Sequence, residues 1–255
     1  MMDRRTFIAS LSAGGAVLLA RADASGIVSE ELAEEVEHMM FEEMQQAQGQ
    51  TQRPARKTFV EKEKEMTPLP AKPTLEDIFN LRLPKFIFNH CLQSANNALK
   101  RGLDEEVILA CLLHDTGIAL DSPDHGYRGA ALIKPYVSEK VHWAIRHHQA
   151  LRFFPDPDVG YEYPESYYRS FGKEYKPEPY IQADYKYARN HKWYMNSRLV
   201  TMMDEYSFDR EEVVTLEPFL DIMGRHFKQP KEGLGWDNTE SSYMWRTIIW
   251  PHRPL

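Results

Sequence analysis

The stretch "ACLLHDTGIAL", residues 110–120, ends an apolar run on two adjacent titratable groups, His114 and Asp115. An imidazole and a carboxylate at a helix end have a plain explanation. Histidine is favoured at the negative end of the helix dipole, and Gly117 would be the stop. The pair also has the donors of a metal site, nitrogen beside oxygen, provided that partners lie elsewhere in the chain. His90 lies 24 positions before His114, and His125 opens "HGYRGA" just after the pair. His147 and His148 stand together further on, and Asp204 falls late in the chain beside Glu205. Each alone is an ordinary core or surface residue; the question is whether the fold gathers them.

The elements that must do so are helical. "TLEDIFNL" reads as a capped turn with Thr74 as N-cap and Asp77 three residues on. "PKFIFNHCLQSANNALKRG" predicts a helix opening on Pro84 and stopping at Gly102, and "DEEVILACLLHDTG" a second, capped by Asp104. "HGYRGAALIKPYVSEKVHWAIRHHQALRFF" predicts two more, broken at Pro135, the latter starting near Ser138. A Tyr/Pro-rich loop region is expected from Pro155 to about residue 182. Beyond it "ADYKYARNHKWYMNSRLVTMMDEYSFD" reads as one long helix, followed by a shorter one at 215–227. Strand signals are scarce, so the expected class is all-α.

With 255 residues, 42% of them hydrophobic, the chain can bury one sizeable core. A formal charge of −7 argues against a nucleic-acid-binding protein. Two cysteines, Cys91 and Cys111, are too few for a disulfide framework and fall in apolar helical patterns, where they read as small buried residues. The N-terminus, "MMDRRTFIASLSAGGAVLLARADASG", joins paired Arg4 and Arg5 to a short apolar run and a small-x-small site at Ala22-Asp23-Ala24. That pattern predicts export by the twin-arginine (Tat) machinery, to the periplasm or beyond, and the run is too short and small-residue-rich for a stable membrane span. Residues 25–50 hold a polar helix candidate with a methionine stripe, and 47–73 read as a linker arm. The expected organisation is thus a signal peptide at 1–24, helix and arm at 25–73, a folded domain at 74–230 and a C-terminal tail at 231–255.

In the order H … HD … H … H … D, the candidate residues resemble the HD-domain superfamily over about residues 75–227. The resemblance implies a helical bundle and a ligand set of His90, His114, Asp115, His125, a fourth histidine and Asp204. Asp115 would take the bridging role between two metal ions. Four imidazoles and two carboxylates suit iron, with manganese, zinc or magnesium as alternatives, rather than Cu(I). Val141, Ile145 and His148 share a helix face, which turns His148 inward. His147 then lies about 100° around the helix, beside the site or in solvent. Both histidines remain open, with His148 preferred as ligand and His147 kept as a candidate catalytic group.

Two branches of the superfamily compete. Most members resemble phosphohydrolases; a smaller branch resembles myo-inositol oxygenase and the HD-type phosphonate dioxygenase, in which a di-iron centre activates O2. The six-residue set suits a dinuclear site, and "HCLQSA" looks like the H-x-x-Q-x-A segment of the oxygenases. Ile118 stands where inositol oxygenases and cyclic-di-GMP phosphodiesterases carry lysine, which argues against those two activities. The run "IKPYVSEKVHWAIRHH" is shared with a bacterial group of HD proteins that brings no substrate with it. Arg152, one turn past His148, is the candidate anchor for a phosphonate, phosphate or carboxylate. Tyr127, Lys134 and Gln93 are further substrate-binding candidates, and Asp115, His147 and Arg152 the catalytic ones. The expectation is an exported dinuclear oxygenase acting with O2 on a small polar or anionic molecule. The alternatives are a phosphohydrolase with the same ligands, or a non-catalytic metal- or ligand-binding protein of the envelope.

Overall fold

A helix that is apolar on all sides after its first two residues lies at the centre of the structure. Asp104 caps it, its side chain accepting from the Glu106 N–H at 2.8 Å, and every residue from Val107 to Leu113 is buried. A helix apolar all round must be surrounded, and the neighbouring helices do this. The computed structural model describes residues 64–205, 207, 209 and 211–253, with the side chains of 166 and 170 left out. Among these are ten α-helices and no strand. They are α1 (Leu75–Leu81), α2 (Lys85–Lys100), α3 (Glu105–Leu113), α4 (His125–Ile133) and α5 (Glu139–Leu151), then α6 (Glu165–Phe171), α7 (Pro179–Arg189), α8 (Tyr194–Glu205), α9 (Leu220–His226) and α10 (Ser242–Ile249). Helices α2, α5, α8 and α9 pack around α3, and α4 lies along α5.

Local signals place the first five helices as the sequence predicts. Thr74 and Asp77 form a reciprocal capping box on α1. Gly102 follows α2 with φ +65°, and the N–H groups of Gly102 and Leu103 close onto Leu99 and Ala98, a left-handed cap that glycine adopts without strain. Ser138 accepts from the Val141 N–H to cap α5. Gly117, expected as a helix stop, does something else. It sits in a 3-10 turn, Thr116–Ala119, pressed on α4, where a Cβ would meet the His125 carbonyl oxygen at 2.2 Å and the Gly129 nitrogen at 2.4 Å. Absence of a side chain, not a left-handed φ, is what this position requires.

Later segments depart from expectation. The stretch 155–182 is not all loop: α6 follows Pro164 and α7 begins on Pro179 at its first turn. The single long helix is two. The Asn190 side chain caps the Lys186 carbonyl at 2.8 Å, and the His191 ring accepts from the Trp193 N–H at 3.2 Å, ending α7 before α8 begins. Residues 231–255, set apart as a tail, supply α10, whose Trp245 is fully buried with Ile248 and Ile249 in the same core as α3. The described residues fall in one compact unit, Thr58–Leu255. The expected signal peptide and polar helix lie outside the described residues. No described helix is long and apolar enough to cross a membrane.

Candidate metal centre and cleft

His114 ends α3, Asp115 begins the 3-10 turn, and four other elements converge on them. His90 comes from α2, His125 opens α4, His148 lies on the core face of α5, and Asp204 falls in the last turn of α8. All six residues are buried, and Asp115 and His125, each 6% exposed, are the least so. The His90 Nε2 lies 3.2 Å from the His114 Nε2 and 3.0 Å from Asp204 Oδ1, while the His125 Nε2 lies 3.3 Å from Asp115 Oδ1. His148 packs edge-on against His114, ring centroids 5.1 Å apart.

The backs of these rings explain their fronts. The Nδ1 of His90, His114, His125 and His148 lies within 2.7–2.9 Å of the carbonyl oxygens of Ser207, Cys111, Ser122 and Ile145 respectively. Carbonyls only accept, so each Nδ1 carries a proton and each Nε2 is the nitrogen turned inward. The Nε2 atoms of His125 and His148 and the Oδ1 of Asp115 are buried without a hydrogen-bond partner. Buried acceptors facing one another are costly unless a cation lies among them. This is the donor arrangement of a metal site, with each ring held by its outer nitrogen.

Electrostatics agree. Burial favours a neutral His114, but Asp115 and Asp204 outweigh it and raise its pKa to about 9; the pocket calls for positive charge. His148 is held well below the usual range, first by burial and then by His114 and His125, and His125 is lowered by burial and by Arg152. Burial works against ionisation of Asp204, yet Arg152 and the histidines hold its pKa well below the carboxylate range. Neutral imidazoles and ionised carboxylates are the forms that bind metal. Three overlapping triads can each hold an ion: His90–His114–Asp115, His114–His148–Asp204 and Asp115–His125–His148. The first and third share Asp115 alone.

A cleft of about 1050 Å³ reaches the centre through His125 and Arg152. Arg152 donates from Nη2 to Asp204 Oδ2 at 2.9 Å, and its Nε is buried without a partner. Tyr127 lines the cleft beneath the Arg146 guanidinium, 4.4 Å from its ring centroid. Three other candidates lie elsewhere. His147 turns away from the cluster, pairing through Nδ1 with Asp184 Oδ1 at 2.8 Å and packing on Trp143. Gln93 is buried and spends its amide on the backbone of Asp209 and Glu212, tying down the loop after Asp204. The Lys134 amine is more than half exposed and pairs with Glu240 at 2.9 Å, away from the cleft lining. Arg146 and Asp184 were missed. Arg146 shares the α5 face of Gln149 and Ala150, an i, i+3, i+4 pattern that could have found it. Asp184 gave no local signal, because its partner is 37 residues away.

A search of curated proteins found no match to the chain. The family model described as HD domain matches residues 87–168. His90, His114, Asp115, His125 and His148 all fall inside the match and converge on one buried cluster fit for metal, with Asp204 joining from beyond it. Residues 87–168 are an HD domain, of a family commonly made up of metal-dependent hydrolases.

Proposed function

We propose that the chain is a dinuclear metalloenzyme with an iron centre, an oxygenase acting on a small anionic molecule. The observation that carries the dinuclear reading is the meeting of two buried triads at Asp115 alone, which suits one carboxylate shared by two ions. His90 and His114 would serve one ion and His125 and His148 the other, with Asp204 on the side of His90. Bound iron would supply Lewis-acid and redox chemistry toward substrate and O2. The chain's own residues do the rest. Arg152 fixes Asp204 with one nitrogen and keeps an unpartnered Nε for an oxyanion entering the cleft. Phe153, Phe171 and Tyr175 line that approach and thin the water around the reacting groups. His125 marks the end of the cleft at which the reaction would take place.

A metal-dependent phosphohydrolase is the second reading. The family match favours it, and Arg152 would hold a phosphate as readily as another anion. Export through the Tat route, resting on Arg4-Arg5 and the apolar run that follows, belongs to the proposal as well. The deciding experiment is metal analysis of aerobically purified protein with EPR after partial reduction. A coupled mixed-valent iron signal altered by an added substrate is expected. Two redox-inert ions with phosphatase turnover would replace the oxygenase by the hydrolase. Metal without turnover on broad panels of either class would leave a binding protein.

A further inference from the structure

The outer wall of the cleft carries a second recognition element, remote in sequence from the metal ligands. Tyr180, Asp184 and Tyr187 fall at i, i+4 and i+7 on α7 and all line the cleft. The Asp184 side chain retains 24% of its accessible surface, and its Oδ1 is held by the His147 Nδ1–H at 2.8 Å. Among the described residues no lysine or arginine lies within ion-pairing distance of Asp184. The two guanidiniums that line the cleft are engaged elsewhere: Arg152 with Asp204, Arg146 over the Tyr127 ring. His147 is itself clamped between rings, its centroid 4.5 Å from that of Trp143 and 5.5 Å from that of Tyr187. An imidazole N–H donated to a carboxylate oxygen fixes the direction of the carboxylate, whose side chain still lines the cleft.

A cleft-lining carboxylate that shares a helix face with two tyrosines is a receptor for an organic cation. The ring faces attract a positive charge through their quadrupoles, and the carboxylate adds direct attraction. Methylated ammonium groups gain most, because they are weakly hydrated and apolar enough to lie against the rings. From this geometry we infer that the Tyr180–Asp184–Tyr187 face of α7 is an alkylammonium subsite, with His147 as its positioning residue. The inference rests on the cleft being the substrate site of the metal centre. It names the substrate class of that site: a molecule with an oxyanion for Arg152 at one end and an ammonium for Asp184 at the other.

The test compares ligands of equal shape and different charge by calorimetry on the full, metal-loaded chain. Phosphocholine and its carbon isostere neohexyl phosphate form one pair; choline and neohexanol, which carry no anion, form the other. The ammonium-bearing member of each pair is expected to bind about tenfold more tightly. Asp184→Asn keeps an acceptor for His147 and should bring both ratios close to one, with an unchanged Kd for neohexyl phosphate. Tyr180→Leu, at an exposed position, should lower the ratios by a fewfold without affecting the fold. Equal binding of ammonium-bearing and ammonium-free partners in the unaltered protein, an undiminished preference in Asp184→Asn, or no binding of any of the four would overturn the inference. Failure of the oxyanion reading looks different. Arg152→Gln would then leave the affinity for neohexyl phosphate unaltered while the choline preference persisted.

Discussion

At the residue scale, His147 and His148 divide the work of two neighbouring positions by helix geometry. Val141 and Ile145 are core residues at 1% and 0% exposure, and His148 follows them inward on the same face. His147 points about a quarter-turn away to Asp184. His148→Ala should weaken metal binding about tenfold or more, comparable with the loss of a ligand's supporting partner. His147→Ala should leave metal content intact. Metal analysis of the two purified variants checks this, and equal loss from both would sink the assignment. Arg152→Gln should leave Asp204 without its cation and weaken metal binding less than His148→Ala does. Competition with a chelator, run on both variants, ranks them.

At the element scale, two contacts hold the frame of the site. Gly117→Ala drives a Cβ against the backbone of α4, at 2.2 Å from the His125 oxygen. It should destabilise the fold by about 1–3 kcal/mol or more, measured by urea unfolding, because backbone rather than a flexible side chain must give way. The second contact joins the start of α3 to α9. Glu105 accepts from Arg225 and pairs with His226, and hydrogen bonds to these two partners lower its pKa to about 2 from an ordinary 4.5. A depressed carboxylate stabilises the fold above its unfolded pKa and loses that contribution as pH falls through the folded one. Glu105→Gln should therefore lower Tm at neutral pH, and the difference should close between pH 4.5 and pH 2. Much at this scale was readable from local chemistry. The caps at Thr74, Asp104 and Ser138 and the face of α5 rest on neighbours within a turn or two. The break at Asn190 was hidden because a side-chain cap interrupts the backbone without altering the apolar pattern. Gln93 was misjudged as substrate-facing because its partners, Asp209 and Glu212, lie more than a hundred positions away.

At the scale of the whole molecule, the core is closed by the chain's far end. Trp245 is fully buried and stacks edgewise on Tyr136, which reaches Asp237 through its hydroxyl at 2.8 Å. Trp245→Ala should cost about 3–5 kcal/mol in chemical denaturation, a large share of the stability of a domain this size. The residues around 231–255 looked like a tail because their partners lie far back in the sequence. Beneath the cleft, α8 is fastened to α5 by bonds that bypass the cleft wall. Thr201 donates to the His148 carbonyl, Ser197 to that of Ala144, and the buried Arg198 to those of Leu151 and Phe154. None of the six converging residues lies between 160 and 190, where α6 and α7 stand. The molecule is thus divided between a chassis that carries the candidate metal residues and a facing that can be rebuilt. Exchange of that facing alone would redirect the same centre to a new molecule, which makes residues 160–190 the natural target for anyone wishing to retune its diet.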